Sequence, residues 1–298
     1  MNPSLKHFAE RALIGSGVER FASRRVRGRT LVLAYHNVVP DGDQASGDSS
    51  LHLTQREFAR QLDTLALSHD VIPIQDLGSD TPESRRPRAV ITFDDAYAGA
   101  VTAGIAELKR RAMPATIFVA PGLLESVPWW DILARADGTV PDALRQQALD
   151  DLRGEGEAIL RSVPATTPAS GVAPALPRIA TESQLAAIAS SPGITLGSHT
   201  WSHPNLCAQT DTVLDAELLR PLAWLRSRFA SVVPWVSYPY GRFNESVQAA
   251  AAKAGYRGAF RIDGGWLPEQ SGRPYAIPRL NIPSGLSING FRLRLAGL

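Results

Sequence analysis

The chain carries one cysteine, Cys207, in 298 residues. That excludes an intramolecular disulfide and the cysteine-rich knuckles that hold structural zinc. Cys207 is expected to pack as a small buried filler, and a reducing compartment suits such a chain. Long apolar runs are also missing, and none approaches the ~20 residues that a spanning helix needs. Neither charge is in real excess: 31 Lys and Arg against 29 Asp and Glu give a net charge of +2. Such a balance offers no global case for nucleic acid binding. A secretory pattern is absent as well, because Glu10, Arg11, Glu19 and Arg20 interrupt any apolar core near the start. The expectation is a cytoplasmic protein. Histidine is scarce, with six in all and none beyond His203.

The first 29 residues have a pattern of their own. Leu5, Phe8, Ala12, Leu13, Val18 and Phe21 recur at helical spacing, interleaved with and followed by Arg20, Arg24, Arg25, Arg27 and Arg29. A basic amphipathic segment of this kind is commonly a solvated helix face. The alternative is peripheral association with an anionic membrane, here at its inner face. Residues 1–29 therefore read as an N-terminal amphipathic helical segment ahead of a domain over 30–298.

Within that domain strands and helices alternate. "TLVLAY" reads as a strand, and Thr54 with Glu57 forms a capping box that opens a helix. "DVIPI", "RAVITF" and "PATIFVA" read as further strands, with a helix between the last two. After position 180 the alternation resumes through "GITLGSH", "TVLDAELLRPLAWLRSRF", "VPWVSYPYG", "SVQAAAAKAG", "YRGAF" and "AIPRLNIP". This is an α/β chain with a parallel sheet, open or closed into a barrel. The stretch from about 129 to 180 reads as an insertion. It opens on Trp129 and Trp130, which either flank a sugar ring or anchor the insertion. Its Pro/Ala/Ser/Thr run over 163–177 is expected to be weakly ordered.

In parallel α/β folds chemistry gathers at the carboxyl ends of the strands. His36, Asp94, Asp95, His199, His203 and Tyr240 all end predicted strands or follow them closely. In "AVITFDDAYAG" an apolar run meets two adjacent carboxylates, whose burial without a positive partner would be costly. In "GSHTWSHP" two imidazoles stand four apart, and Pro204 disfavours a helix at His203. One carboxylate and two imidazoles make a common three-donor set for an open catalytic metal site. The ion relieves the repulsion, one Asp binding it while the other stays free as general base.

"TFDDA" with "HTWSHP" resembles the paired signature of the polysaccharide deacetylases, carbohydrate esterase family 4, written TFDDG and H-S/T-x-x-H-P. "YPYGRFN" is similar to that family's third motif, and "AGYRGAF" with "IPRLNIP" to the tail of many bacterial members. The pattern is nearest to that of the exopolysaccharide and poly-N-acetylglucosamine deacetylases. The likeness spans about 31–122 and 180–285. It implies a distorted (β/α) barrel of about seven strands. It implies Asp94 as general base, Asp95, His199 and His203 as ligands of a divalent metal, usually Zn²⁺, and the Tyr240 backbone N–H at the oxyanion. The reaction implied is hydrolysis of an acetamido group on an N-acetylated glycan, releasing acetate.

Three departures from the family pattern bear on mechanism. Ala96 replaces the usual Gly, a small loss of backbone freedom. Ser237 stands where the family often has an Arg that orients the base, and Arg279 is the best substitute, its other reading being a surface ion pair. The usual general acid, a His in a C-terminal L-x-H motif, is missing. His36 is its expected replacement, because first and last strands are neighbours in a closed barrel. His52 is the second choice, while His7 and His69 fall away from the predicted mouth. Two other readings stand beside the N-deacetylase: an O-acetyl carbohydrate esterase, and a catalytically silent sugar binder, which the intact Asp pair and both His argue against.

Overall fold

The computed structural model describes residues 3–79, 86–163, 175–267 and 272–298. Its strands are β1 (Thr30–Tyr35), β2 (Asn37–Val39), β3 (His52–Thr54), β4 (Asp70–Val71) and β5 (Arg88–Phe93), then β6 (Ala115–Val119), β7 (Ile194–Ser198), β8 (Val232–Ser237), β9 (Gly258–Gly264) and β10 (Ile277–Asn281). Seven of them close a ring in the order β1, β5, β6, β7, β8, β9, β10, and β10 pairs back to β1. Every pair in the ring is parallel. β4 pairs with the amino end of β5, while β6 takes its carboxyl end. β2 and β3 form a separate two-stranded ladder. The distorted (β/α) barrel of the sequence reading is the observed architecture.

The strands close because both of their faces are apolar. Val32, Val90, Phe118, Trp235 and Phe260 pack together on the inner side. Leu31, Leu33, Tyr35, Ile91 and Phe93 pack outward with Phe58, Leu62 and Leu65 of the helix Gln55–Ser68. Each such side chain contributes about 1.5–3 kcal/mol on burial. Gly197 makes room for this filling, since a Cβ there would lie 2.6 Å from the Phe118 ring. The same alternation carries polar residues to the rim: Val90, Thr92 and Asp94 share one face of β5 and its end, as do Val233, Trp235 and Ser237 on β8. The interior is therefore oil at the amino end and polar at the carboxyl end.

Some elements differ from the sequence reading. The N-terminal segment is two helices, Pro3–Gly15 and Val18–Arg25, separated at Gly17, whose φ is 76°. "DVIPI" shrinks to β4, because Pro73 has no N–H for a ladder and leads into a 3₁₀ turn at Ile74–Asp76. A C-terminal helix, Ile288–Leu295, was not foreseen, since its buried Phe291, Leu293 and Leu295 alternate as in a strand. Cys207 is exposed, not a buried filler. Among the described residues no helix is long and apolar enough to cross a membrane.

The insertion folds as three short helices, Trp129–Ile132, Asp142–Asp150 and Gly156–Ser162, around Trp129, Trp130, Ala148, Leu149 and Ile159. Both tryptophans are buried, so the anchoring reading holds for Trp129, while Trp130 also faces the site described below. Residues 164–174 of the stretch expected to be weakly ordered lie outside the described residues. Asp131 ties the insertion to the barrel. Its Oδ1 accepts from the Asp48 N–H at 2.8 Å and pairs with His52 Nε2 at 2.9 Å, and its Oδ2 accepts from the Tyr97 hydroxyl at 2.6 Å. Gly47 allows this approach: with φ at 83°, a Cβ there would overlap the carboxylate.

Asp131→Ala orphans three buried polar groups at once, each worth about 1–3 kcal/mol. The expected loss of stability is about 3 kcal/mol or more, read from the urea midpoint at constant m. A change under 1 kcal/mol would show that the insertion is held by its apolar cluster alone.

Candidate active site and metal centre

β5 hands its last ladder bond to the next residue, the Asp94 N–H donating to Tyr35 O at 2.9 Å. The chain then turns through left-handed backbone at Asp95 (φ 68°) and Ala96 (φ 60°). Such a turn costs a non-glycine residue about 1–2 kcal/mol, which explains why glycine suits position 96. β7 ends the same way. The His199 N–H donates to Val119 O at 2.8 Å, and Thr200 and His203 take φ of 65° and 61°. This is a loop, as Pro204 predicts, and Glu217 braces it. Its carboxylate accepts from the Trp201 and Ser202 N–H groups at 2.8 and 2.9 Å and from the Ser202 hydroxyl at 2.7 Å.

The two turns aim three donors at one point. His199 Nε2 and His203 Nε2 are 3.0 Å apart, and each lies 3.4 Å from Asp95 Oδ1. A tetrahedral ion with bonds of ~2.0–2.1 Å spaces its ligands by about 3.3 Å, so the three edges fit such a site with one position open. His199 Nδ1 donates to Ser237 O at 2.8 Å, which fixes the tautomer and leaves Nε2 bare. Asp95 Oδ1 is buried and accepts no hydrogen bond, an orphan that a cation satisfies. Charges follow the same logic. Burial, then His199, pushes the His203 imidazole down to about 3. Burial also opposes charge on His199, but Asp94 and Asp95 outweigh it and raise its value. Burial would lift the Asp95 carboxyl, yet the close approach of His199 and the charge of His203 hold it below the ordinary value.

Asp94 is held by different means. Arg279, fully buried on β10, reaches across the barrel and donates from Nη1 and Nη2 to Oδ1 and Oδ2, both at 2.7 Å. The Arg279 guanidinium also donates to Ser237 Oγ at 2.7 Å, Thr92 Oγ1 at 3.2 Å and Arg261 O at 3.0 Å. The surface ion pair is thus excluded. Burial pushes the Asp94 carboxyl up, but Arg279 and then His199 outweigh it and hold it far below the usual range.

A cavity of about 220 Å³ opens over this centre, walled by His36, Asp94, Asp95, Trp130, Arg145 and Tyr240. His36 follows β1 at the rim, and burial lowers its pKa against the pull of Asp95 and Asp94. Tyr240 has φ 57°, its ring stands 4.6 Å from that of His203, and its hydroxyl accepts from Trp129 Nε1 at 3.1 Å. Trp130 also packs on His203, with ring centres 5.0 Å apart, and its ring meets that of Tyr240 edge to face at 6.2 Å. His52 is bound at both nitrogens, by Asn37 at 3.1 Å and by Asp131, and does not line the cavity. His69 stacks on Trp266 and His7 lies on the first helix, both elsewhere. Every expected site residue therefore meets here. Glu217, Asp131 and Arg145 were missed. The first had a signal: it is an acid within the buried stripe Leu214, Leu218, Pro221.

Residues 81–259, more than half of the chain, match the polysaccharide deacetylase family model, and the chain belongs to that family. YxkH of Bacillus subtilis (strain 168), assigned to the same family, is 31% identical over 111 residues. That alignment spans 37% of this chain and 39% of YxkH, well under two thirds of the relative's length. The fold is that of the Streptococcus pyogenes deacetylase PplD, solved with acetate (TM-score 0.61, 16% identity, 90% of this chain and 99% of that one). It is equally that of a de-N-acetylase from Aggregatibacter actinomycetemcomitans (TM-score 0.60, 18% identity, 89% and 99%).

Elemental analysis of the purified chain is expected to give one divalent ion per molecule. His199→Ala removes one of the three candidate ligands and should lose most of it, each ligand contributing several kcal/mol in such sites. Stoichiometric metal in that variant would remove His199 from the ligand set.

Proposed function

We propose that the chain is a metal-dependent hydrolase that removes N-acetyl groups from an N-acetylated poly- or oligosaccharide or glycan precursor, releasing acetate. The observation that carries this reading is a carboxylate kept ionised by Arg279 beside three convergent donors whose oxygen has no other partner. Membership of the polysaccharide deacetylase family supports it, and so does the likeness to a protein described as a de-N-acetylase.

Asp95, His199 and His203 would hold the ion, and their nitrogen and oxygen donors suit Zn²⁺. Such an ion supplies Lewis acidity and a lowered pKa for water. Asp94 takes the proton of the attacking water. Its bidentate pairing fixes both oxygens in place, so Arg279 positions the base while keeping it charged. The Tyr240 backbone N–H stabilises the developing oxyanion. His36 gives a proton to the departing amine, a step that an amide needs and an activated ester does not. Burial lowers the His36 pKa against the pull of Asp95 and Asp94, which makes its imidazolium a readier proton donor to the amine.

Acetate release from N-acetylglucosamine oligomers against acetylated xylan tests the substrate class. Faster release from the oligomers is expected, and release from xylan alone would make the chain an O-acetyl esterase. Asp94→Asn should keep its metal and lose about 10²–10⁴ in kcat, as expected for a missing acid–base group. Arg279→Met removes the main charge that opposes burial and so raises the Asp94 pKa. The acidic limb of kcat/KM then moves to higher pH, and Arg279→Lys restores part of the shift. An unmoved limb would place the base elsewhere. His36→Ala should impair amide cleavage strongly and cleavage of an aryl acetate much less. Equal losses on both substrates would remove His36 as the acid.

A further inference from the structure

The helix Pro3–Gly15 packs with its polarity reversed. It turns Glu10 inward to the Ser287 hydroxyl, while Leu5 and Phe8 stay 58% and 71% exposed. Phe21 on Val18–Arg25 is 58% exposed, and Leu67 at the end of Gln55–Ser68 is 86% exposed. Large apolar groups left exposed on neighbouring helices mark an interaction surface rather than a solvated helix.

The groove beside these helices is basic. Arg20, Arg24 and Arg27 line a groove of about 1090 Å³ together with Leu67 and Ile288. The acid lining this groove is Glu19, already bound by Arg292 at 2.7 Å. Among the described residues no carboxylate pairs with Arg20, Arg24, Arg25 or Arg27. Arg25 lies 5.2 Å from the Phe21 ring centre, so cation and aromatic sit at the same level. A second copy fits this surface poorly, because a two-fold contact would set identical arginines against each other. An anionic bilayer satisfies both halves, with phosphates for the guanidinium groups and acyl chains for the rings.

We propose that the two N-terminal helices and the adjoining groove dock the protein on an anionic lipid bilayer. Phe8, Phe21 and Leu67 enter the acyl boundary, and Arg20, Arg24 and Arg27 take headgroup phosphates. The groove residues Val26, Arg27, His69, Arg86 and Pro87 immediately precede β1, β4 and β5. Docking therefore uses the amino end of the barrel and leaves the metal centre, at the carboxyl end, open to a glycan.

Co-sedimentation of the full chain with phosphatidylcholine vesicles, with and without phosphatidylglycerol, tests this. Partitioning onto the anionic vesicles is expected to exceed that onto neutral ones by about tenfold or more and to weaken with salt. Phe8→Ser with Phe21→Ser, and Arg20→Glu with Arg24→Glu, should each lower it by about tenfold or more. Melting temperature and acetate release from a soluble oligomer should stay unchanged in both variants. Equal binding to the two vesicle types, or none, overturns the proposal. A dimer in analytical ultracentrifugation that Phe8→Ser with Phe21→Ser abolishes, without vesicle binding, assigns the face to a second copy instead.

Discussion

The bidentate contact between Arg279 and Asp94 is the constraint around which the polar end of the barrel is organised. It joins β10 to the end of β5 through the interior, and Ser237 of β8 and Thr92 of β5 complete the guanidinium's shell. Both charges are out of water, so neither is tolerable without the other. Removing one partner of such a pair typically costs 3–5 kcal/mol, whereas an apolar filling of the same volume would be no less stable. Stability alone therefore gives no reason for the pair. Its effect is to hold a carboxylate charged where burial favours the neutral acid, and to do so with both oxygens fixed in direction.

The donors beside it depend on strained backbone. Asp95, Ala96, Thr200, His203 and Tyr240 all have positive φ, and Asp95, His203 and Tyr240 line one cavity. None of them is glycine, so each turn must be enforced from outside. Glu217 gathers the N–H groups of the His199–His203 loop. Asn205 ties that loop to the insertion by donating to Leu149 O at 2.9 Å. Asp131 in turn fixes the insertion to His52 and Tyr97, and the Trp130 Nε1 donates to the same Tyr97 hydroxyl at 2.7 Å. The insertion is thus a wall of the site, and the strain at the rim is balanced by contacts from three separate parts of the chain.

Much of this was legible in the sequence, for particular reasons. Strands buried on both faces appear as continuous apolar runs, so "TLVLAY" and "RAVITF" could not be mistaken for half-exposed strands. Asp94, Asp95, His199 and His203 stood out because polar residues ending such runs need a purpose. Partners that act from a distance left weaker traces. Asp131 follows two tryptophans and looks like an ordinary helix-start acid until its three donors are known. The depth of Arg279 was open because a charged residue in a short strand reads equally as an edge. The C-terminal helix was hidden by an alternating pattern, and exposure at Cys207 is set by tertiary packing that one residue cannot signal.

Closure of the sheet explains how a site can be complete while its motifs are displaced along the chain. β1 lies between β5 and β10, with Val32 opposite Val90 on one side and Ala34 opposite Asn281 on the other. A side chain just after β1 and one just after β10 thus flank the same arc of rim. His36 occupies that arc and lines the cavity, although it lies more than 160 residues before the His199–His203 loop. Arg279 achieves the reverse, entering from the last strand to meet Asp94 at the end of β5. In an open sheet β1 and β10 could be opposite edges, and such exchanges would fail. In a ring, position on the rim is what chemistry requires, and sequence order is free to vary around it.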